Sequence, residues 1–308
     1  TMDGAAVMHD LHDFDFSAWA AAQGALVEQA LTAWVGQGAP AGLGEAMRYA
    51  VLDGGKRLRP LLVLAAAQAV QGHAPAALRA ACAVELIHAY SLVHDDMPCM
   101  DNDVLRRGKP TVHIAFGQAQ ALLAGDALQA QAFELLTPAG DEVPAAMQAH
   151  CCRILAHAAG AQGMAGGQAI DLASVGQPLN EEQLRQMHRL KTGALLQASV
   201  LLGAACGTTS APALAALSTY GEVLGLAFQV VDDVLDVVAD AATLGKTPGK
   251  DAANDKPTYV ALLGLPAAQA LAQDLLVQAC AALDQSGLPQ DDVQALRALA
   301  HQVVGRSH

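Results

Sequence analysis

Residues 93–110 read VHDDMPCMDNDVLRRGKP. Four aspartates, Asp95, Asp96, Asp101 and Asp103, fall within nine residues, and Arg106, Arg107 and Lys109 follow at once. Like charges this close repel unless a cation sits among them. The preceding AVELIHAYSLV is apolar and reads as buried helix. A solvated acidic loop is an unusual continuation of a core helix, so the pattern points to a bound charged ligand. A second cluster, FQVVDDVLD at 228–236, places Asp232 and Asp236 four residues apart, on one face of a helix. Val230, Val231, Val234 and Leu235 around them are apolar, and no Lys or Arg lies three or four residues away. Carboxylates on a buried helix are costly unless paired or metal-bound. Oxygen donors with no His or Cys beside them suit Mg²⁺, which takes one or two carboxylates plus substrate phosphates.

The first cluster needs a bend. Asp95 and Asp101 are six apart, which an unbroken helix rotates roughly 120° out of line. Pro98 between them is expected to distort or end the helix and let Asp101 return beside Asp95. A helix end running into a solvated acidic turn is the plain alternative for either cluster alone. Two clusters together with the neighbouring cations argue against it.

The elements that hold these residues are helical. The chain has 308 residues, 53% of them hydrophobic, with aromatics at only 4%. Alanine and leucine dominate and β-branched runs are few, which favours an all-α fold. Helices are expected at 17–36, 43–53, 57–71, 75–100, 118–136, 141–160, 181–190, 192–207, 212–238, 257–264, 266–284 and 290–304. Asn180 with Gln183 forms a capping-box pattern, Pro212 sits in a first helical turn, and Gly54-Gly55 ends a helix. No long Ser/Gly/Pro linker divides the chain. The expectation is a poorly patterned segment at 1–16 and a single all-α domain over 17–308.

Net charge is −13, which argues against nucleic acid held on a basic surface. Ten of the 17 Lys and Arg lie in 56–59, 106–109, Lys191 and 246–256. Cations gathered near aspartates suggest an anionic ligand plus metal. The six cysteines form no paired CxxC zinc motif and read as reduced, packed thiols. The N-terminal residues lack a basic n-region, so no signal peptide is expected and a cytoplasmic protein is. The uncharged run TGALLQASVLLGAACGTTSAPALAALSTYG is broken by Gly, Pro and polar residues, and reads as two buried helices rather than a membrane span.

DDMPCMD and DDVLD resemble the two aspartate-rich motifs of the trans-isoprenyl diphosphate synthases. GGKRLRP at 54–60, RRGKPT at 106–111, LKTG at 190–193, the FQ before DDVLD, and GK…DK between 245 and 256 follow in that family's order. The likeness is strong over about 43–264. It implies a single-domain antiparallel helix bundle around a deep central cavity (the isoprenoid synthase type), with the two aspartate motifs facing across its mouth. It further implies a homodimer using three Mg²⁺ ions, isopentenyl diphosphate, and dimethylallyl or geranyl diphosphate.

By that resemblance, Asp95, Asp101 and Asp232 bind Mg²⁺, with Asp96, Asp233 and Asp236 supporting directly or through water. Arg106, Lys191 and Lys246 match the holders of the allylic diphosphate, and Lys256 matches a residue closing the C-terminal region over it. Lys56, Arg59, His88 and Arg107 match the metal-free pocket for isopentenyl diphosphate, where the planar Arg fork suits phosphate oxygens. A core histidine is the plain reading of His88, and solvated charge that of Arg57 and Lys109. Thr192 and Gln229 match groups near the reacting carbons. Asp126 reads as a structural hydrogen-bonding residue, Lys250 has no clear partner, and Arg306, near the C-terminus, is a further candidate to reach the site.

Product length depends on the cavity floor. Tyr90 is about 7.5 Å from Asp95 along the helix, five residues at 1.5 Å each. The family rule links one aromatic there, plus the two-residue insertion Pro98-Cys99, to bacterial farnesyl diphosphate synthases; Ser91 is small and does not block the chain earlier. The expected product is (E,E)-farnesyl diphosphate, with a geranyl or geranylgeranyl diphosphate synthase as the nearest alternative. Terpene cyclases and head-to-head synthases fit less well, because those usually lack both aspartate motifs together with GGKRLRP. An HD-type phosphohydrolase, suggested by His94-Asp95, lacks its further His and Asp ligands. A regulatory subunit tends to lose the aspartate motifs, and both are intact here.

Overall fold

A computed structural model describes residues 14–52, 54–177, 179–242 and 258–305. The readings made on 1–13, Lys246, Lys250, Lys256 and Arg306 lie outside the described residues. The elements in order are α1 (Phe16–Trp34), α2 (Leu43–Val51), α3 (Leu58–Ala69), α4 (Ala74–Asp95), β1 (Leu105–Arg106), β2 (Lys109–Pro110), α5 (Val112–Phe116), α6 (Gln118–Leu136), α7 (Ala145–Ala159), α8 (Met164–Ala173), α9 (Glu181–His188), a π-helical turn (Arg189–Gly193), α10 (Ala194–Ala205), α11 (Ala211–Ala242), α12 (Tyr259–Leu263), α13 (Leu265–Asp284) and α14 (Gln294–Gly305). The fold is all-α, and β1–β2 is the one strand pair among the described residues.

Local signals account for most boundaries. Asp15 accepts the Ala18 amide at 2.9 Å and starts α1. Asn180 and Gln183 close a reciprocal capping box on α9. Ser210 Oγ accepts the Ala213 amide at 3.2 Å, with Pro212 in the first turn of α11. The helix expected to 100 stops at Asp95, because Pro98 cannot continue it and the chain folds back. The Asp101 amide then donates to the Asp95 carbonyl at 2.8 Å, and the Asp103 amide to that of Asp96 at 3.1 Å. Helix α8 has no counterpart among the expected helices. Its Gly-rich GMAGGQAIDLA conceals the apolar period, and packing rather than propensity makes it helical.

Helix α4 is buried on nearly every side, from Ala76 through Leu86 and Ile87 to Val93, so it runs through the interior. It packs chiefly on α6 and α3, while α3 packs on α10 and α10 on α11, whose outer neighbour is α13. One apolar cluster joins α1, α2, α4, α6 and α7. A second joins α3, α10, α11, α13 and α14, and a third α9, α11, α12 and α13. Among the described residues two helices are long and apolar enough to cross a membrane, α4 and residues 211–238, yet two thirds of the α4 window is buried within the bundle.

Arg57 departs from the solvated charge expected of it. It is only 7% exposed. It donates to Glu85 Oε1 and to the Val51 carbonyl, each at 2.7 Å, and also to Glu28, so one guanidinium ties α1, α2 and α4 to the start of α3. Burial pulls its pKa down, but the hydrogen bond to Glu28 and the charge of Glu85 outweigh that and leave it raised. Its positive φ of 49° is a strained conformation that these contacts hold. Removing one partner of a buried pair strands the other, so Arg57→Ala should lower unfolding free energy by about 3–5 kcal/mol in denaturant titration. Arg57→Met with Glu85→Gln should cost markedly less, since no full charge is then stranded.

Candidate active site

The C-terminal end of α4 opens on a cavity of about 390 Å³. Arg59, His88, Tyr90, Ser91 and Asp95 line it from α3 and α4; Gln168 and Leu172 line it from α8, and Lys191 and Thr192 from the π-helical turn. Single π turns occur often at functional sites, because the wider coil re-aims side chains that an α-helix would point elsewhere. Here it turns Lys191 and Thr192 toward the same wall. Gly167 permits this: a Cβ there would lie 2.1 Å from the Lys191 amide nitrogen, so α8 touches the turn backbone to backbone.

Charge in the site is largely paired within the protein. Arg106 grips buried Asp96 through two bonds of 2.8 and 2.6 Å, and the bond to Asp96 holds the guanidinium pKa above its usual value against burial. Lys191 Nζ donates to Asp171 Oδ2 at 2.6 Å. Asp233 is buried; it accepts the Tyr259 amide at 2.8 Å and the Gln229 amide group at 2.9 Å. It thereby pins the start of α12 to α11. Asp95 is different. Burial pushes its carboxyl up to about 6, Lys191 opposes this, and Asp101 adds to it. It also sits at a helix C-terminus, where backbone carbonyls disfavour an anion and favour a cation.

Two anchors shape the cationic side. Arg106, Arg107, Gly108 and Lys109 form a tight hairpin in which Leu105 pairs with Pro110 and Arg106 with Lys109. Arg107 and Gly108 both have positive φ, as a two-residue hairpin turn requires. The two arginines diverge: Arg106 reaches Asp96, while Arg107 donates to the Gly54 carbonyl at 2.6 Å. Arg107 thus meets the loop that carries Lys56. Arg59 Nε is buried with no hydrogen-bond partner among the described residues, which marks it as a candidate donor to a ligand. Burial lowers its pKa to about 10, partly countered by Glu85. His88 is held well below the usual histidine range by burial and by Arg59 and Arg107, so it meets a ligand as neutral imidazole.

The cavity lining unites Arg59, His88, Tyr90, Ser91, Asp95, Lys191 and Thr192, and leaves out Lys56, Asp96, Asp101, Arg106, Arg107, Gln229, Asp232, Asp233 and Asp236. Asp96, Arg106 and Arg107 line a smaller neighbouring pocket of about 60 Å³. Asp232 and Asp236 are exposed on α11, whereas Asp233 between them is buried. Asp126 is exposed and makes no hydrogen bond among the described residues, so it lacks the structural bond expected of it. Sequence reasoning missed Gln168 and Asp171. Three apart in an otherwise apolar stretch, they share a helix face, and that spacing was the available signal. Both polar atoms of the Gln168 amide are buried with no partner among the described residues.

Among the described residues no three His, Cys, Asp or Glu side chains converge on a preformed metal cage. The donors nonetheless fit Mg²⁺. They are carboxylate oxygens, the Asp95 carboxylate is desolvated, and Mg²⁺ typically completes its shell with water and substrate phosphate.

An all-α bundle whose cavity presents the Asp95 carboxyl beside Arg59 and Lys191, with further aspartates at its edge, suits a phosphorylated ligand and a divalent cation. Residues 40–296 match the family described as Polyprenyl synthetase. A farnesyl diphosphate synthase of Escherichia coli is 49% identical over 265 residues, covering 85% of this chain and 89% of that protein. A chloroplastic heterodimeric geranylgeranyl pyrophosphate synthase large subunit of Arabidopsis thaliana is 45% identical over 301 residues, 96% of this chain and 80% of that one. The solved structure of an FPP/GFPP synthase from Zymomonas mobilis superposes with a TM-score of 0.82 at 40% identity, covering 94% of this chain and 98% of that one. The chain belongs to the polyprenyl synthetase family. It is a prenyltransferase, and its reaction is the condensation of prenyl diphosphates.

The raised Asp95 carboxyl has a measurable consequence. Without metal, its ionisation favours the unfolded chain, where its pKa is the ordinary 3.8. The stability that neutral Asp95 lends is complete below about pH 4 and lost as pH rises through about 6. Asp95→Asn should therefore raise the metal-free Tm above pH 6, with the gain shrinking toward zero near pH 4, and should abolish condensation. Equal melting temperatures for the two proteins at pH 7.5 would contradict the burial argument.

Proposed function

We propose that this enzyme joins isopentenyl diphosphate first to dimethylallyl diphosphate and then to geranyl diphosphate, releasing (E,E)-farnesyl diphosphate. The observation that carries the fifteen-carbon product is Tyr90. Its half-buried ring lines the cavity wall one and a half turns from Asp95, where a growing chain descends from the diphosphate site. Ser91 beside it is small, and its hydroxyl is turned away to the His88 carbonyl at 2.7 Å.

In this reading Asp95, Asp101 and Asp232 would hold Mg²⁺, supported by Asp96, Asp233 and Asp236, and the ion would supply positive charge to offset that developing on the leaving diphosphate. Lys191 and Arg106 bind that same diphosphate and keep it oriented, as Lys246 and Lys256 do beyond the described residues. Arg59, Arg107, Lys56 and neutral His88 hold isopentenyl diphosphate by hydrogen bonds and charge. The allylic C–O bond breaks with its electron pair leaving on the diphosphate. The isopentenyl double bond supplies the pair for the new bond between the allylic C1 and its own C4. A proton is then lost from the isopentenyl C2 to the departed diphosphate. Thr192 and Gln229 direct oxygen dipoles at the allylic cation. The apolar lining keeps water from capturing it.

The same reading expects a cytoplasmic homodimer. The exposed apolar residues Ile114, Leu122 and Leu123 on α5 and α6 are the surface we assign to the second copy.

Incubation with isopentenyl diphosphate, dimethylallyl diphosphate and Mg²⁺, then dephosphorylation and chromatography by chain length, tests the proposal. A fifteen-carbon alcohol that disappears with chelator is the expected result. A twenty-carbon product would move the enzyme to the geranylgeranyl class of its plant relative. Tyr90→Ala should lengthen the product, and an unchanged distribution would remove Tyr90 as the floor.

A further inference from the structure

We propose that His94 is a positioning residue for product length, its imidazole wedged between the Tyr90 ring and the α6 backbone at Gly125. The inference rests on the reading of Tyr90 as the cavity floor and adds what holds that floor in place.

Tyr90 and His94 stand one turn apart on α4, on one face. Their ring centroids are 5.7 Å apart with the planes at 76°, an edge-to-face contact. Both side chains line the cavity. On its far side the imidazole reaches α6, where Nε2 is 3.0 Å from the Leu122 carbonyl oxygen. A carbonyl only accepts, so Nε2 carries the proton and donates. The ring also fills the volume that a side chain at position 125 would need. A Cβ on Gly125 would lie 2.0 Å from Nε2, 2.5 Å from Cδ2 and 2.7 Å from Cε1. The imidazole is therefore clamped on both sides: the tyrosine ring on one, the α6 main chain on the other.

Tyr90 has rotatable χ1 and χ2 and only a half-buried ring. Its hydroxyl meets the Gln129 side chain of α6, which holds the tip of the ring, while His94 packs against the ring itself and sets its tilt. The spacing of α4 and α6, which only glycine at position 125 allows, then sets how deep the product tail reaches. Any larger residue at 125 displaces the imidazole and changes the tilt of the tyrosine ring.

The test compares the wild-type chain with Tyr90→Ala, His94→Ala, Gly125→Ala and the double variant Tyr90→Ala/Gly125→Ala, reading the ratio of fifteen- to twenty-carbon products. That ratio belongs to whichever molecules turn over, so a smaller folded fraction lowers the total and leaves the ratio alone. His94→Ala only removes atoms, so it is read even if Gly125→Ala fails to fold. The expected result is a several-fold rise in the twenty-carbon share for all three single variants, with the double variant matching Tyr90→Ala. Lengthening by Tyr90→Ala alone, with His94→Ala keeping the wild-type ratio, overturns the positioning role and leaves the floor standing. No lengthening by Tyr90→Ala removes the floor reading and this inference with it.

Discussion

A carboxylate taken out of water must meet a positive partner, and much of this site is organised by that requirement. Asp96 has Arg106, Asp171 has Lys191, and Asp233 has the Tyr259 amide and Gln229. The ion pairs and the Tyr259 amide bond each also join two separate elements. The Arg106 pair docks the hairpin onto the end of α4, the Lys191 pair couples the π turn to α8, and Asp233 fastens α12 to α11. Asp95 keeps a raised pKa despite Lys191, and this residual imbalance suits a cation arriving with the substrate.

The same requirement governs the cations. Arg57, beside the ligand pocket in sequence, is consumed by Glu85 and Glu28 and serves the scaffold. Its neighbour two residues on, Arg59, keeps a buried Nε without an acceptor among the described residues. Position along the first turn of α3 decides between them. One guanidinium lies over the buried Glu85, and the other faces the cavity. Two arginines of equal chemistry thereby take a structural and a ligand-facing task.

Motif spacing alone makes the site's polar inventory legible. Aspartates in an apolar helix have few stable explanations, and Pro98 makes the fold-back of Asp101 foreseeable. Helices α6 and α9, with clear periods or caps, lie within a few residues of their expected bounds. Helix α8 is hidden, since its glycines suppress both propensity and pattern, and Gln168 and Asp171 are hidden with it. The π turn is equally concealed: RLKTG has no composition that marks an extra residue per turn, and its stability comes from α8 and α11 packing on it.

By itself the amino-acid sequence determined the helical class, the acidic clusters, and the cations that accompany them, because periodicity and charge spacing are local properties of the chain. Tertiary structure alone decided which charges face ligand and which face protein. Burial of Arg57, pairing of Lys191 with Asp171, and the seat of His94 against Gly125 each depend on two helices meeting at a given distance. That distance follows from the packing of small side chains across the bundle interior, a sum over many residues that no single motif records.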